Sequence, residues 1–106
     1  MNFIGRKILI RYESGLEVEA HYKSATELTW GALTGPSKGT SGSETIYSSE
    51  VAPGVFFISW LENNGVSVSN VLDLNNRRME AFVTFDAGKG RQSFFDKGVV
   101  EEIGES

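Results

Sequence analysis

Apolar and polar residues alternate with a period of two along most of this chain, and this pattern constrains the fold more than any other feature. From Leu16 to Lys23, apolar residues at even positions alternate with polar or charged residues at odd positions. A half-buried strand produces this pattern, whereas an amphipathic helix repeats about every 3.6 residues. No segment carries a sustained helical stripe. The chain is therefore predicted to be all-β.

Turn signals divide the alternating segments into about eight short strands. The strongest is Asn-Asn-Gly at residues 63–65, since Asn-Gly accepts positive φ angles at both central positions of a tight hairpin. Residues 34–43 are rich in glycine and serine and predict a mobile loop, after which strand character resumes from Glu44 to Ser49. These features predict an up-and-down antiparallel barrel of about eight strands, with a two-sheet sandwich as the alternative.

The length of the chain indicates a single domain spanning residues 1–106. A domain of this size can build a core without covalent staples, which matters because the sequence contains no cysteine. Disulfides, thiolate metal sites and cysteine nucleophiles are therefore excluded. His21 is the only histidine, and it falls on the polar side of its predicted strand. We therefore interpret it as a surface residue rather than a catalytic base, and we expect no metal and no cofactor.

The charge of the chain limits its partners. A formal net charge of -4 would repel a phosphate backbone, so no nucleic-acid partner is expected. Arg6 and Lys7 interrupt the apolar residues near the N-terminus, so the uninterrupted run of a signal peptide is missing. No stretch approaches the ~20 apolar residues of a membrane-spanning helix. A cytoplasmic protein without membrane contact is the expectation.

The most apolar stretch, GVFFISWLE at residues 54–62, ends in a carboxylate. With a period of two, Phe56, Ile58, Trp60 and Glu62 share one face of the strand. Glu62 either emerges into solvent at the strand end or forms the polar end of a row that lines a cavity. In a cavity, desolvation would raise the pKa of the carboxyl group and suit it to proton donation or ligand binding. The residues themselves leave both interpretations open.

A barrel of about eight strands can hold one small ligand or be filled by its own side chains. An open interior would have a mostly apolar wall with a few polar tips, which is the usual composition of a small-molecule pocket. Tyr12, Trp30 and Trp60 are ambiguous, because aromatic residues fill cores more often than they bind ligands. The candidate inner wall comprises Ile8, Ile10, Tyr12, Leu16, Val18, Phe56, Ile58, Trp60, Val66 and Val68.

Several stretches resemble known families. Residues 3–7 (FIGRK) and 12–19 (YESGLEVE) look like the opening of the phenolic acid decarboxylases. Residues 54–62 with the following Gly65, and the Asp-Leu pair at 73–74, resemble both that family and the MoaF-like proteins. The similarity runs from about residue 3 to residue 85, and its most specific feature is the W-x-E motif that ends in Glu62. The resemblance implies a calycin, a lipocalin-like β-barrel with a central cavity, and an inward-facing Glu62.

For the decarboxylases, the resemblance implies cofactor-independent loss of carbon dioxide from hydroxycinnamic acids. Two tyrosines and an arginine orient the substrate there, and the glutamate of W-x-E donates a proton. Glu62 matches that glutamate and Tyr12 matches the second tyrosine, but the first tyrosine is Ile10 here. In place of the arginine, the loop offers only Lys38, which lacks the planar fork that grips a carboxylate. For the MoaF-like proteins, the resemblance implies a fold more firmly than a function.

The leading hypothesis is a calycin that binds a small, largely apolar ligand in the barrel interior, with an aromatic compound as one candidate, and without robust catalysis. A decarboxylase-like lyase, with Glu62 as the acid and Tyr12 as the orienting donor, is the alternative, so the question of enzymatic activity stays open. The ligand-binding residues predicted on this basis are Ile10, Tyr12, Val18, Trp30, Ile58, Trp60 and Glu62.

A third hypothesis concerns the opposite face of the same strand. Val55, Phe57 and Leu61 alternate with the inward row and are too apolar to face free solvent. A contiguous apolar patch of this kind usually marks an interface. The sequence therefore also predicts a homodimer formed through this face, and the barrel would then be an interaction module.

Overall fold

Nine antiparallel strands form one continuous sheet over the part of the chain that the structure describes. The computed structural model describes residues 2–105. Within that range no helix has the length and hydropathy needed to cross a membrane. The strands are β1 (Arg6–Tyr12), β2 (Glu17–Ser24), β3 (Glu27–Ala32), β4 (Ser41–Thr45), β5 (Tyr47–Ala52), β6 (Val55–Leu61), β7 (Ser67–Asp73), β8 (Arg78–Asp86) and β9 (Arg91–Glu105).

The sheet curls into a nearly closed barrel. The strand order in the sheet is β4-β3-β2-β1-β9-β8-β7-β6-β5. Each pairing joins strands that are consecutive in sequence, except the pairing of β1 with β9. The two edge strands β4 and β5 are consecutive in sequence, and β4 lies against β6 across the seam. The predicted all-β, up-and-down antiparallel barrel with lipocalin-like topology is confirmed, with nine strands in place of about eight.

The additional strand arises at Ile46. The sequence predicts one strand from Glu44 to Ser49, but β4 ends at Thr45 and β5 begins at Tyr47. β4 pairs with β3 and β5 pairs with β6, so the chain crosses the barrel seam between them. Ile46 is 1% exposed, and its backbone N–H donates to the carbonyl of Thr26 at 2.9 Å. A buried anchor at the crossing therefore divides what alternation alone predicts as a single strand.

The predicted glycine- and serine-rich loop is shorter than expected, because β4 already begins at Ser41. The remaining loop is held by its own backbone: Gly39 N–H donates to the Ala32 carbonyl, and Ala32 N–H donates to the Thr40 carbonyl, both at 2.9 Å. These bonds bring the loop back over the end of β3.

The predicted hairpin at residues 63–65 joins β6 and β7. Gly65 N–H donates to the Glu62 carbonyl at 2.9 Å, and Glu62 N–H donates to the Val66 carbonyl at 2.7 Å. Only Gly65 has a positive φ, at 88°. The turn is thus a three-residue loop that ends in a left-handed glycine, rather than the two-residue turn with two positive φ angles that the Asn-Gly signal predicts.

One end of the barrel is closed by packed side chains. Phe3 packs edge-on against Tyr22 and Phe56, with ring centroids 5.2 and 5.1 Å apart. Ile58, Leu72 and Met79 lie above this plug with no exposed surface. The opposite end is bounded by the β1–β2 and β3–β4 connections and the β6–β7 and β8–β9 hairpins. This second end holds the cavity.

Candidate functional site

A cavity of about 220 Å³ occupies the open end of the barrel. Its wall is mainly apolar, with a few polar groups among aliphatic and aromatic side chains. The β3–β4 loop contributes Ser37 and Thr40 to the rim. Six of the seven predicted ligand-binding residues line this cavity: Ile10, Tyr12, Val18, Trp30, Trp60 and Glu62.

The seventh, Ile58, lies elsewhere. It points into the barrel as the alternation predicts, but it is 0% exposed and belongs to the packed core rather than to the cavity wall. Ile8 and Phe56, from the predicted inner wall, are likewise core residues. All three lie towards the closed end, because strand alternation determines which face a side chain takes but not its depth along the barrel.

Glu62 follows directly after β6 and lies half-buried at the cavity mouth. Its Oε2 accepts a hydrogen bond of 3.0 Å from the indole N–H of Trp60, two residues earlier on the same inward row. The carboxylate lines the cavity, so the acidic end of the GVFFISWLE row faces inward. Trp60 thus both walls the cavity and orients the carboxylate.

The environment of Glu62 changes its acidity. Partial burial raises the pKa of the Glu62 carboxyl above its usual value, the hydrogen bond from Trp60 opposes that rise, and the nearby Glu44 carboxylate adds to it. A carboxyl group with a raised pKa can hold or donate a proton closer to neutral pH than an exposed glutamate can.

We expect the Glu62→Gln variant to have a flatter dependence of stability on pH than the wild type. The native state binds the Glu62 proton more tightly than the unfolded chain, so unfolding releases a proton between the two pKa values. The contribution of Glu62 to the free energy of unfolding of the wild type should therefore fall as pH rises from about 4.3, the ordinary glutamate pKa, to the raised native pKa. Above that pH the contribution should stay constant. Glutamine has no proton to lose. Thermal unfolding of both proteins across this pH range measures the difference.

The matched control for this experiment is Glu80→Gln, which removes one negative charge from an exposed position on β8. Its profile should run parallel to that of the wild type. A Glu62→Gln profile equally parallel to the wild type would contradict the burial of the Glu62 carboxyl.

A second indole–carboxylate pair lies near the first. The indole N–H of Trp30 on β3 donates to Oε2 of Glu44 on β4 at 2.9 Å. Gly42 is the cross-strand partner of Trp30, and a Cβ at position 42 would lie 2.7 Å from Trp30 Nε1 and 2.8 Å from Glu44 Oε2. The missing side chain at Gly42 is therefore what lets the Trp30 indole lie across β4 and reach Glu44.

We expect Gly42→Ala to displace the Trp30 indole and to cost about 1–3 kcal/mol of stability, the usual cost of overpacking. The Trp30 indole N–H signal in a ¹H–¹⁵N spectrum should move. Gly31→Ala is the matched control, because its Cβ would meet only the Thr40 carbonyl at 4.0 Å, an ordinary contact. Equal effects of the two substitutions would show that position 42 does not control the indole.

Tyr12 and Asp96 form a polar group on the β1–β9 side of the cavity. Asp96 is 9% exposed; its Oδ2 accepts a bond from the Ser14 hydroxyl at 2.5 Å, and its Oδ1 accepts the Lys97 N–H at 3.0 Å. Burial raises the pKa of the Tyr12 hydroxyl well above its usual value, and the Asp96 charge adds to the rise. Tyr12 therefore stays protonated at neutral pH and can act as a hydrogen-bond donor.

Asn70 is another polar residue of the cavity wall that the sequence predictions miss. It is 4% exposed, lines the cavity and has an Oδ1 atom without a hydrogen-bond partner among residues 2–105. Asn70 and Asp96 share one sequence signal, since each interrupts an otherwise apolar inward row, Val68-Asn70-Leu72 on β7 and Phe94-Asp96-Gly98 on β9. A polar residue within the buried row of a strand would have identified both.

His21 lies half-buried on the outer side of β2, opposite Lys7 and Thr29, and is not part of the cavity. It is therefore not the exposed surface residue that the alternation predicts: its Nε2 atom is buried and has no hydrogen-bond partner among residues 2–105. Over the described residues, no group of three or more histidine or carboxylate side chains is placed to hold a metal ion.

The chain is similar to proteins of known sequence and structure. It is 26% identical over 84 residues to a protein described as "Probable phenolic acid decarboxylase" from Vibrio cholerae serotype O1, a match that covers 78% of this chain and 48% of the relative. The chain thus spans about half the length of this relative. A crystal structure from Burkholderia vietnamiensis, described as a "putative beta-lactamase", superposes with a TM-score of 0.87 at 21% identity and 97% coverage of both chains. At that identity the likeness shows the fold alone.

A sequence model of one family provides the assignment. The model is described as MoaF-like, and it matches residues 4–94, from the residues before β1 into β9. The matched range includes both tryptophans, Glu62 and most of the cavity wall. The chain therefore belongs to the MoaF-like family.

Proposed function

We propose that this protein binds a small, largely apolar ligand in the open end of its barrel and does so without robust catalysis. The observation that carries the proposal is the cavity itself, apolar over most of its wall and furnished with a few inward polar groups. Small-molecule sites have this composition. A barrel built only for stability would gain by filling the space, since close packing is the rule in protein interiors.

The volume of the cavity limits the size of the ligand. About 220 Å³ is below the ~300–1,000 Å³ of drug-sized pockets, but an apolar cavity of about 150 Å³ already binds benzene. A single aromatic ring with a short substituent fits this range, and the two indoles offer it flat apolar surfaces. A long-chain fatty acid does not fit the described cavity.

The two tryptophans provide the test. Trp30 and Trp60 are the only tryptophans in the sequence, and both line the cavity. Titration with 2-phenylethanol, a neutral one-ring probe, should change the tryptophan emission in a saturable way. Calorimetry on the same samples should give the same dissociation constant. A linear, non-saturating response with no heat of binding would overturn the proposal.

A decarboxylase-like lyase is the second candidate, favoured by the relative from Vibrio cholerae and by the inward position of Glu62. In this mechanism Glu62 would donate the proton and Tyr12 would orient the substrate. Ile10 supplies no hydroxyl, and Lys38 is exposed in the β3–β4 loop rather than part of the cavity wall. Incubation of the protein with p-coumarate or ferulate, with loss of the substrate followed by absorbance, tests for this activity. Turnover no greater than that of Glu62→Gln would reject this candidate.

The homodimer stays a prediction. Phe57 and Leu61 are exposed on the outer side of β6, while Val55 is half-buried. Phe57 is paired with the exposed Val71, and on the next strands Phe82 is paired with Phe95, also exposed. Covering these side chains in a dimer would remove apolar surface from water. Light scattering at micromolar concentration should give twice the chain mass, and a monomer would contradict the prediction.

A further inference from the structure

The charged groups of the cavity have one sign. Two carboxyl groups, Glu62 and Asp96, line it, and Glu44 lies close to Glu62. Among residues 2–105, no lysine, arginine or histidine lines the cavity. The ion pairs within the same residues, Arg6–Glu102 and Arg11–Glu101, join β1 to β9 and involve neither cavity carboxylate. Both acidic groups thus face the cavity without a cationic partner from the described chain.

The basic side chains nearest the mouth are directed elsewhere. Arg91, at the start of β9, donates to the Gly65 carbonyl at 3.1 Å and to the Thr84 hydroxyl at 2.5 Å. Lys38 is exposed in the β3–β4 loop and does not line the cavity. A carboxylate ligand would therefore enter a site with two acidic groups on its wall and no cation to pair with, an unfavourable juxtaposition of like charges.

The hydrogen-bonding groups of the cavity wall also favour a cationic ligand. Both indole N–H donors are occupied, Trp60 by Glu62 and Trp30 by Glu44. The second oxygen of Glu62 accepts no hydrogen bond from residues 2–105. The indole rings themselves remain available, and aromatic faces attract cations. The Tyr12 and Tyr22 hydroxyls also line the cavity and can donate or accept, but every charged group on the wall is an acceptor. The wall therefore offers a ligand carboxylates, hydroxyls and π-faces, and no cation.

Asn70 provides an independent indication that a donor belongs inside. Its Oδ1 is buried, lines the cavity and lacks a partner in the described chain. A buried acceptor without a partner is costly, so a ligand that supplies a donor would relieve that cost. One inward row runs across three neighbouring strands through Asn70, Ala81 and Asp96. The Cα atoms of Asn70 and Asp96 are therefore about 10 Å apart, which is two strand spacings of about 4.8 Å. Only the small side chain of Ala81 lies between the amide and the carboxylate.

We propose that the ligand of this cavity is a small organic amine, a single aromatic ring or similar apolar body bearing an ammonium group. The ammonium is received by the acceptors Asp96 and Asn70, which lie in one cross-strand row, and Glu62 adds negative charge at the mouth; the ring lies against Trp30 and Trp60. This proposal rests on the proposed function, since it names the ligand class of the same cavity. An ammonium ligand has the opposite charge to the hydroxycinnamate anion, which is the substrate implied by the resemblance to the decarboxylases.

Three probes with one ring and a two-carbon substituent separate the possibilities: 2-phenylethylamine, 2-phenylethanol and phenylacetate. Calorimetric titration of the wild type should give the lowest dissociation constant for the amine, about tenfold or more below that of the alcohol, as one hydrogen bond to a charged group gives. Phenylacetate should bind most weakly. Equal affinity for amine and alcohol would overturn the amine proposal and leave ligand binding in place. Strongest binding of phenylacetate would overturn it in favour of an acid, and binding of none would overturn both proposals.

Charge-removing variants locate the preference. Asp96→Asn and Glu62→Gln keep the shape of the wall, and each should weaken amine binding more than it weakens binding of 2-phenylethanol, with a loss of about tenfold for the amine in Asp96→Asn. Asp86→Asn, at the exposed end of β8, is the matched control and should change neither. Equal weakening of both probes by Asp96→Asn would overturn the assigned contact. Should that variant fail to fold, the comparison of the three probes on the wild type still decides the proposal.

Discussion

Replacing Ile58 with alanine should lower the free energy of unfolding by about 2–5 kcal/mol, the range measured for large buried aliphatic side chains. Ile58 has no exposed surface, and it lies in the core cluster with Phe56, Trp60 and Leu72. The substitution leaves a void among neighbours that are already in contact. Each kcal/mol corresponds to about 4–8 °C in Tm for a domain near this size, so thermal and urea unfolding will both detect the change.

Ile103→Ala is the matched control for this prediction. Ile103 is 42% exposed on β9, so its truncation should cost clearly less, near the ~0.5 kcal/mol typical of surface positions. Equal losses from the two substitutions would mean that the closed end of the barrel is not packed as described. Binding of a one-ring probe should be retained by Ile58→Ala whenever the protein is folded, because Ile58 does not line the cavity.

Ala81→Leu should produce the largest change in binding. Ala81 lies in the middle of the inward row between Asn70 and Asp96 and is 4% exposed. Three additional carbons at this position project into a cavity of about 220 Å³ and take up space that the guest needs. Burying an aromatic side chain is worth about 1.5–3 kcal/mol, so the dissociation constant of 2-phenylethanol should rise about 10- to 100-fold.

The same substitution should cost little stability, because the leucine enters open space instead of forcing packed neighbours apart. Ala52→Leu adds the same carbons at an exposed position of the edge strand β5 and should leave binding unchanged. Calorimetric titration of the three proteins gives the comparison. Wild-type affinity in a folded Ala81→Leu variant would place the binding site outside the barrel.

Much of the fold was predictable because the chain is built from local alternation. Leu16 to Lys23 and the GVFFISWLE stretch each indicate a strand with one buried face, and short turns between them leave few arrangements other than an antiparallel meander. The seam was not predictable in this way. Ile46 continues the local pattern of its neighbours, and only the completed barrel shows that the chain changes from one end of the sheet to the other there.

The site was predictable in part for a related reason. Alternation places Ile58, Trp60 and Glu62 on one face, but it does not reveal that the barrel is plugged at one end and open at the other. Ile58 is therefore core, and Trp60 lines the cavity. The depth of each residue depends on non-local packing, above all on Phe3, whose ring closes the far end against Tyr22.

Other features of the cavity depend on residues whose local sequence carries little signal. Gly42 lies in a segment whose composition suggests a loop, yet its missing side chain makes room for Trp30 and Glu44. Asp96 does interrupt an apolar row of β9, but whether that row is the buried one depends on the pairing of β9 with β1 and β8. Such pairings between distant segments cannot be obtained from alternation alone.

Intermolecular NOEs between saturating 2-phenylethylamine and methyl-labelled protein test the central claim most directly. The ring protons of the guest should give NOEs to the methyl groups of Val18, Val68 and Val83 and to both indoles, all of which line the cavity. NOEs confined to the outer side chains Phe57, Val71 and Phe82, or no NOEs at all under saturating conditions, would contradict a guest inside the barrel.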